Sequence, residues 1–220
     1  MIKESKEEKL LGVVIDQKLN FKQHLNTVCR KASQKLHALA RASTYMPNEK
    51  TRMVMRAFIM SQFSYCPLIW MFHDRRVNAK INHIHERALR IAYQDRTSSF
   101  EELLITDNSV SIHQRNLQLL VTEIYRTKMN LNPPFMQEIF MEREIHYNLR
   151  VTNNLYARKP RTTAYGLENV SFLGQNLWRD LPLHIKESLT VKHFKKGIKF
   201  WNFTCNCRLC KTYIVNLGYI

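Results

Sequence analysis

The chain has 220 residues, 45% hydrophobic and 24% charged, with 34 Lys and Arg against 18 Asp and Glu for a formal net charge of +16. That length suits one large or two small domains with a real core, and the excess of positive charge points to polyanionic partners rather than to a fold. The composition argues against a membrane span, because the longest apolar stretch, near Phe58 to Phe72, is broken by Ser61, Gln62, Ser64 and Pro67. It also argues against a disulfide framework, because the five cysteines are an odd count with Cys29 and Cys66 isolated.

Taken in chain order, the pattern is mainly helical. Only 5 glycines and 6 prolines interrupt a sequence rich in Leu, Lys, Arg, Met and Gln. An apolar run, Leu10 to Ile15, reads as one strand carrying Gly12 and ending on Asp16. Asn20, with Gln23 three residues on, predicts a capped helix start. That helix extends to about Ser43 and buries Leu25, Val28, Ala32, Leu36 and Leu39, leaving Lys22, Arg30, Lys31 and Lys35 off the stripe. Pro47 suits the first turn of a second helix running to about Ser64. With Val54, Ala57, Phe58 and Ser61 on one face and Met53, Met55, Ile59, Met60 and Phe63 around the rest, it is expected to sit centrally in the core. Pro67 then breaks or kinks the chain, and Cys66 before it reads as a buried structural thiol.

The third helix, about Asp74 to Tyr93, is the most legible. Val77, Ile81, Ile84, Ala88 and Ile91 form an apolar stripe, and Arg76, Lys80, His83, Arg87 and Arg90 form a basic one beside it. Such a ridge can follow a phosphate backbone. Ser98 and Glu101 predict a capping box for a short helix through about Ile105. A longer helix from about Ser111 to Met129 turns Leu117, Leu120, Ile124 and Tyr125 inward, and Asn132-Pro133-Pro134 predicts a turn and a new helix start. Residues 143–166 have poor periodicity and a possible strand over Thr162 to Tyr165. Helices resume at about Phe172 to Arg179 and at Val191 to Trp201, the latter capped by Thr190. Basic residues dominate residues 1–50 (10 against 5 acidic), 51–100 (8 against 3) and 151–220 (11 against 3), whereas 101–150 hold 5 against 7.

The block Lys9 to His24, KLLGVVIDQKLNFKQH, resembles the end of the palm and the start of the thumb in non-LTR retrotransposon reverse transcriptases. The segments SQFSYCPLIWMF, HERALRIAYQD, YNLR, LGQNLWRDLP and CRLCKTYIVNLGYI, in that order, are similar to later blocks of the same C-terminal region in jockey-type and LINE-like polymerases. The resemblance covers most of the chain and implies a thumb-like helical bundle that grips a template–primer duplex. It implies that Gly12 lies at the palm–thumb junction near a primer end, and that Lys22, Arg30, Lys31, Lys35, Arg76, Lys80, Arg87 and Arg90 contact the sugar–phosphate backbone without reading bases. The expected partners are RNA and an RNA–DNA hybrid or DNA, with a palm domain where the chain is part of a longer product. No membrane partner is expected.

Catalysis of nucleotidyl transfer needs carboxylates that hold two divalent metals about 4 Å apart. The chain has five aspartates, Asp16, Asp74, Asp95, Asp107 and Asp180, no two of them adjacent. The expectation is therefore a chain without polymerase activity of its own, Mg belonging to the palm. No GxSxG, HExxH or glycine-rich phosphate loop occurs. Near the C-terminus, Cys205, Cys207 and Cys210 are close enough to share a zinc ion, with His193, His184, Cys66 or a partner chain as the source of a fourth ligand. Their spacing departs from a CCHC knuckle. Lys195, Lys196 and Lys199 with Arg208 and Lys211 make this end basic.

The expected organisation is a palm-end strand at 1–20, a helical thumb and extension at 21–142, an irregular linker with helices at 143–204, and a Cys-rich tail at 205–220. The charged Met1 segment lacks an apolar leader core, and with the odd cysteine count it suggests an intracellular protein of nucleus or cytoplasm. Two other readings remain open: a stand-alone helical nucleic-acid-binding protein derived from a retroelement, and a helical interaction protein.

Overall fold

The computed structural model describes residues 5–141, 155, 160–162, 166, 168–199, 201–203, 207 and 209. They are mainly helical, with one short antiparallel sheet near the N-terminus. The chain divides into two compact units, residues 1–113 and 114–220. The boundary falls inside the stretch 21–142 that the sequence suggests as one domain.

The opening is a hairpin rather than a single strand. β1 (Glu7–Leu10) pairs with β2 (Val13–Asp16), Leu10 opposite Val13 and Glu7 opposite Asp16. Leu11 and Gly12 form a two-residue turn with φ values of 47° and 87°, the signs a type I′ turn requires. The glycine suits its position, but the leucine carries a Cβ into the left-handed region and disguises the turn as part of an apolar run. Leu11 is 82% exposed, so the run is not a core strand. The Tyr65 hydroxyl donates to the Leu11 carbonyl, and Val14 N–H donates to His24 Nδ1 at 3.4 Å, so the hairpin is tied to the bend before Pro67 and to the first turn of the helix that follows the hairpin.

Asp16 organises the next turn. Its carboxylate accepts from the backbone N–H groups of Lys18, Asn20 and Phe21 at 2.9, 3.3 and 2.7 Å. Those bonds hold Leu19 and Phe21 at positive φ and start α1 (Lys22–Ala42) after Phe21, whose side chain makes no capping bond. The Asn20–Gln23 capping box is thereby replaced, although Asn20 Oδ1 still accepts from Lys22 N–H at 3.1 Å. α1 buries His24, Leu25, Cys29, Ala32, Leu36 and Leu39, close to the expected stripe.

The second helical stretch is apolar most of the way round but not buried all round. α2 (Asn48–Val54) passes into a π-helical turn, Met55–Ile59, and a 3₁₀ turn, Met60–Phe63. Thr51, Met55, Ile59 and Phe63 are buried, whereas Met53, Ala57, Phe58 and Ser61 are exposed. A four-residue step overshoots an α-helical face by about 40°. The wide turn takes an additional residue per ring, which keeps both Met55 and Ile59 on the buried side. Pro67 opens a one-turn helix, α3 (Pro67–Trp70), instead of only ending one, and Cys66 before it is half-buried rather than buried.

α4 (Arg75–Tyr93) is capped by Asp74, which accepts from Val77 N–H at 2.8 Å, and buries Val77, Ile81, Ile84, His85, Ala88, Leu89 and Ala92. The capping box of α5 (Phe100–Asp107) lies one residue later than Ser98 and Glu101. Ser99 accepts from Glu102 N–H, and the Glu102 carboxylate accepts from Ser99 N–H at 2.7 Å. The repeated Ser-Ser and Glu-Glu satisfy the pattern in both registers, and Asp95 takes Ser98 by accepting from its N–H at 3.0 Å. The first unit's core joins α1, α4 and the stretch from Met55 to Phe63 through Leu25, Leu36, Ile59, Phe63, Ile81 and Leu89.

α6 (Ile112–Lys128) carries Leu117, Leu120, Ile124 and Tyr125 inward, as expected. α7 (Phe135–Ile139) follows the Asn-Pro-Pro turn. α8 (Val170–Asp180), α9 (Leu183–Lys186) and α10 (Val191–Ile198) complete the described helices. Asn169 caps α8, and Thr190 caps α10 by accepting from His193 N–H. The second unit's core is aromatic: Phe194 stacks on Tyr125 with ring centroids 4.2 Å apart and lies 6.1 Å from Trp178. The possible strand at Thr162 to Tyr165 falls mostly outside the described residues.

Candidate nucleic-acid interface

At 100° per residue, Arg76, Lys80, His83 and Arg87 fall within an arc of about 60° on α4 and span about 16 Å of its length. All four are exposed, on the side away from Ile81 and Ala88. The only acid on the helix, Glu86, lies outside that arc and is engaged by Arg90 through Nη2 at 2.7 Å and Nε at 3.2 Å. Arg90 is therefore half-buried and partly neutralised, and the ridge proper is three permanent cations and one histidine. Lys80 also lies near α1: burial pushes the Cys29 thiol up, and the Lys80 charge opposes that shift.

The basic residues of α1 are less concentrated. Lys22, Arg30 and Lys31 are exposed and Lys35 is half-buried. Their helical positions spread over about 220°, so Lys22 and Arg30 lie on one flank and Lys31 and Lys35 on the other. The Lys35 ammonium lies 5.8 Å from the Phe58 ring centroid. Gly12 sits in the hairpin turn, where its φ of 87° accounts for the residue type; an added Cβ would lie 3.7 Å from Tyr65 Cε1.

A second ridge lies on α10. Lys195, Lys196 and Lys199 are exposed together with Lys192, which sequence reading overlooked although the spacing 192, 195, 196, 199 is that of one helical stripe. The four lysines occupy an arc of about 100° and about 10 Å of helix, opposite the buried Phe194 and Ile198. Cations in the last turn of a helix are also favoured by its dipole.

Each aspartate has a structural partner. Asp16 and Asp74 hold the turn and cap described above. Hydrogen bonds from Ser98 and Thr97 hold the Asp95 carboxyl well below the usual range. Asp107, its side chain only 4% exposed, accepts from Arg56 Nη2 at 2.9 Å and from the Tyr93 hydroxyl at 2.8 Å. Asp180 pairs with Arg179 at 3.1 Å. The buried His73 of the first unit is likewise engaged: its Nδ1 lies 3.2 Å from Trp70 O and its Nε2 lies 3.3 Å from Asn78 Oδ1.

Among the described residues, no group of three or more His, Cys, Asp or Glu is arranged to hold a metal ion. Cys205 and Cys210 lie outside the described residues. Cys207 is buried and His193 is exposed on α10. No described helix is long and apolar enough to cross a membrane. Comparisons with protein-family models, curated proteins and solved structures return no match.

Proposed function

We propose that the chain is a non-catalytic C-terminal portion of a non-LTR retrotransposon RNA-directed DNA polymerase, gripping template–primer nucleic acid through basic helices. The observation that carries this reading is the ridge Arg76, Lys80, His83 and Arg87, exposed in one narrow arc with the helix's lone acid outside it. A cationic row on a rigid element suits a phosphate backbone, which it positions without reading sequence. Lys192, Lys195, Lys196 and Lys199 supply a second row in the other unit. The ordered blocks of sequence supply the family assignment. On this reading a palm domain packs against the hairpin, whose Leu10 and Leu11 side chains are exposed, and Mg chemistry resides in that palm. A zinc ion held by Cys205, Cys207 and Cys210 belongs to the same reading; metal analysis of the wild type and of Cys205→Ser tests it, with no bound metal retiring it.

The test of the main reading is fluorescence anisotropy with a short RNA–DNA hybrid over a range of salt. Backbone gripping predicts binding at low salt that weakens linearly on a log–log plot, with a slope of roughly 0.7 to 0.9 per neutralised phosphate. Absence of binding at low salt would sink it and leave a helical protein whose charge serves other partners.

A further inference from the structure

The π-helical turn at Met55–Ile59 is the least regular element of the first unit's core, and such turns recur at functional sites. It turns Met55 and Ile59 inward and presents Arg56, Ala57 and Phe58 outward together. Arg56 is committed to Asp107. Phe58 is 56% exposed, and an exposed phenylalanine alone is ordinary. What distinguishes this one is its setting: the Lys35 ammonium lies 5.8 Å from the ring, and Lys31, one turn earlier on the same flank of α1, is exposed. The ammonium lies over one face of the ring, so an open second face with cations at its edge combines the two elements that hold an unpaired nucleotide: a surface on which any base can stack and charges for the flanking phosphates. A duplex stacks its bases on each other and offers phosphates only.

We propose that Phe58, with Lys35 and Lys31, forms a stacking site for an unpaired nucleotide of a single-stranded nucleic acid. The base lies on the ring face opposite Lys35, and the ammonium groups of Lys35 and Lys31 face its flanking phosphates. This rests on the polyanion-binding reading above and adds a strand class to it: the α4 ridge takes duplex backbone, and the Phe58 site takes the single strand.

The experiment compares anisotropy titrations of oligouridine and of an RNA–DNA hybrid at one salt concentration, for the wild type, Phe58→Leu and Phe58→Tyr. Phe58→Leu keeps an apolar side chain at an exposed position and removes the ring. It should lose about tenfold in affinity for the single strand and nothing for the hybrid, and Phe58→Tyr should bind as the wild type does. Photocrosslinking with iodouridine should map to Phe58. Single-strand binding by Phe58→Leu equal to wild type overturns the site, and so does an equal loss on both polymers. A wild-type chain that binds the hybrid but not oligouridine overturns the site and leaves the proposed function standing; binding to neither overturns both.

Discussion

The two units place positive charge on a helix in the same way but build the core beneath it differently. Residues 1–113 hold 18 Lys and Arg against 11 Asp and Glu, and residues 114–220 hold 16 against 7. In the first unit a 19-residue helix, α4, carries the ridge, and long aliphatic stripes from α1 and α4 support it. In the second unit an 8-residue helix, α10, carries it, anchored by Ile198 and by one ring, Phe194, stacked against Tyr125 and close to Trp178. A helix of eight residues is marginal in isolation, so its lysine stripe depends on that anchor. The long ridge draws on many small contributions, the short one on two buried side chains, the larger of them a stacked ring.

The largest effect that would break this contrast comes from Phe194→Ala. Emptying the position of a fully buried aromatic costs about 4 kcal/mol. Hydrogen exchange should then accelerate through α8 and α10 while α1 and α4 keep their protection; equal loss in all four would show that the two units fold as one. In the first unit, Asp107→Ala takes the carboxylate acceptor from the Tyr93 hydroxyl, which keeps Arg52 beside it, and frees Arg56, which is already more than half exposed. A loss of about 2 kcal/mol in urea unfolding is expected, smaller than at Phe194 because water can reach the arginine. Gly12→Ala forces a Cβ into a φ of 87° and should cost about 1 kcal/mol, read as a lower melting temperature.

The smallest effect appears only in acid. Burial pushes the His73 pKa below its ordinary 6.5, and the nearby His113 pushes it the same way, against hydrogen bonds to Trp70 and Asn78 and the Asp74 charge. Burial and Lys31 likewise lower that of His24. Both histidines fold neutral, so below pH 6.5 the unfolded chain takes up protons that the folded chain does not. Stability is full above that pH and falls as pH drops through it toward the folded values. His73→Gln should flatten part of that fall in denaturation midpoints measured against pH; an unchanged pH profile would contradict the assignment.

The long helices were legible because their stripes repeat over several turns. Leu25, Ala32, Leu36 and Leu39, and Val77, Ile81, Ile84 and Ala88, are buried at the expected positions, Val28 and Ile91 are half-buried, and Arg76, Lys80 and Arg87 are exposed as a row. What escaped the pattern is short or strained. Nothing in the side chains of Leu10 to Ile15 announces that Leu11 takes the left-handed conformation, and only Gly12 hints at the turn. The π turn at Met55–Ile59 changes the period within one helical stretch, so a fixed 3.6-residue reading misplaced Phe58 and Ala57 in the core. The paired serines and glutamates before α5 left the capping register undetermined by one residue. Spacing sets Arg90 in the basic row, but its pairing with Glu86 at i,i+4 competes with pairing to a ligand. Lys192 was within reach of the same spacing rule that exposed the ridge on α4.

On the proposed function the α4 ridge meets phosphates. The most direct measurement of that contact is the salt dependence of RNA–DNA hybrid binding by the wild type and by the triple variant Arg76→Gln, Lys80→Gln, Arg87→Gln. These side chains lie on the exposed side of α4, so circular dichroism should show the variant folded. Loss of three phosphate contacts predicts a slope of log affinity against log salt shallower by about 2 to 3, with weaker binding at low salt. An unchanged slope in a folded variant would contradict the claim.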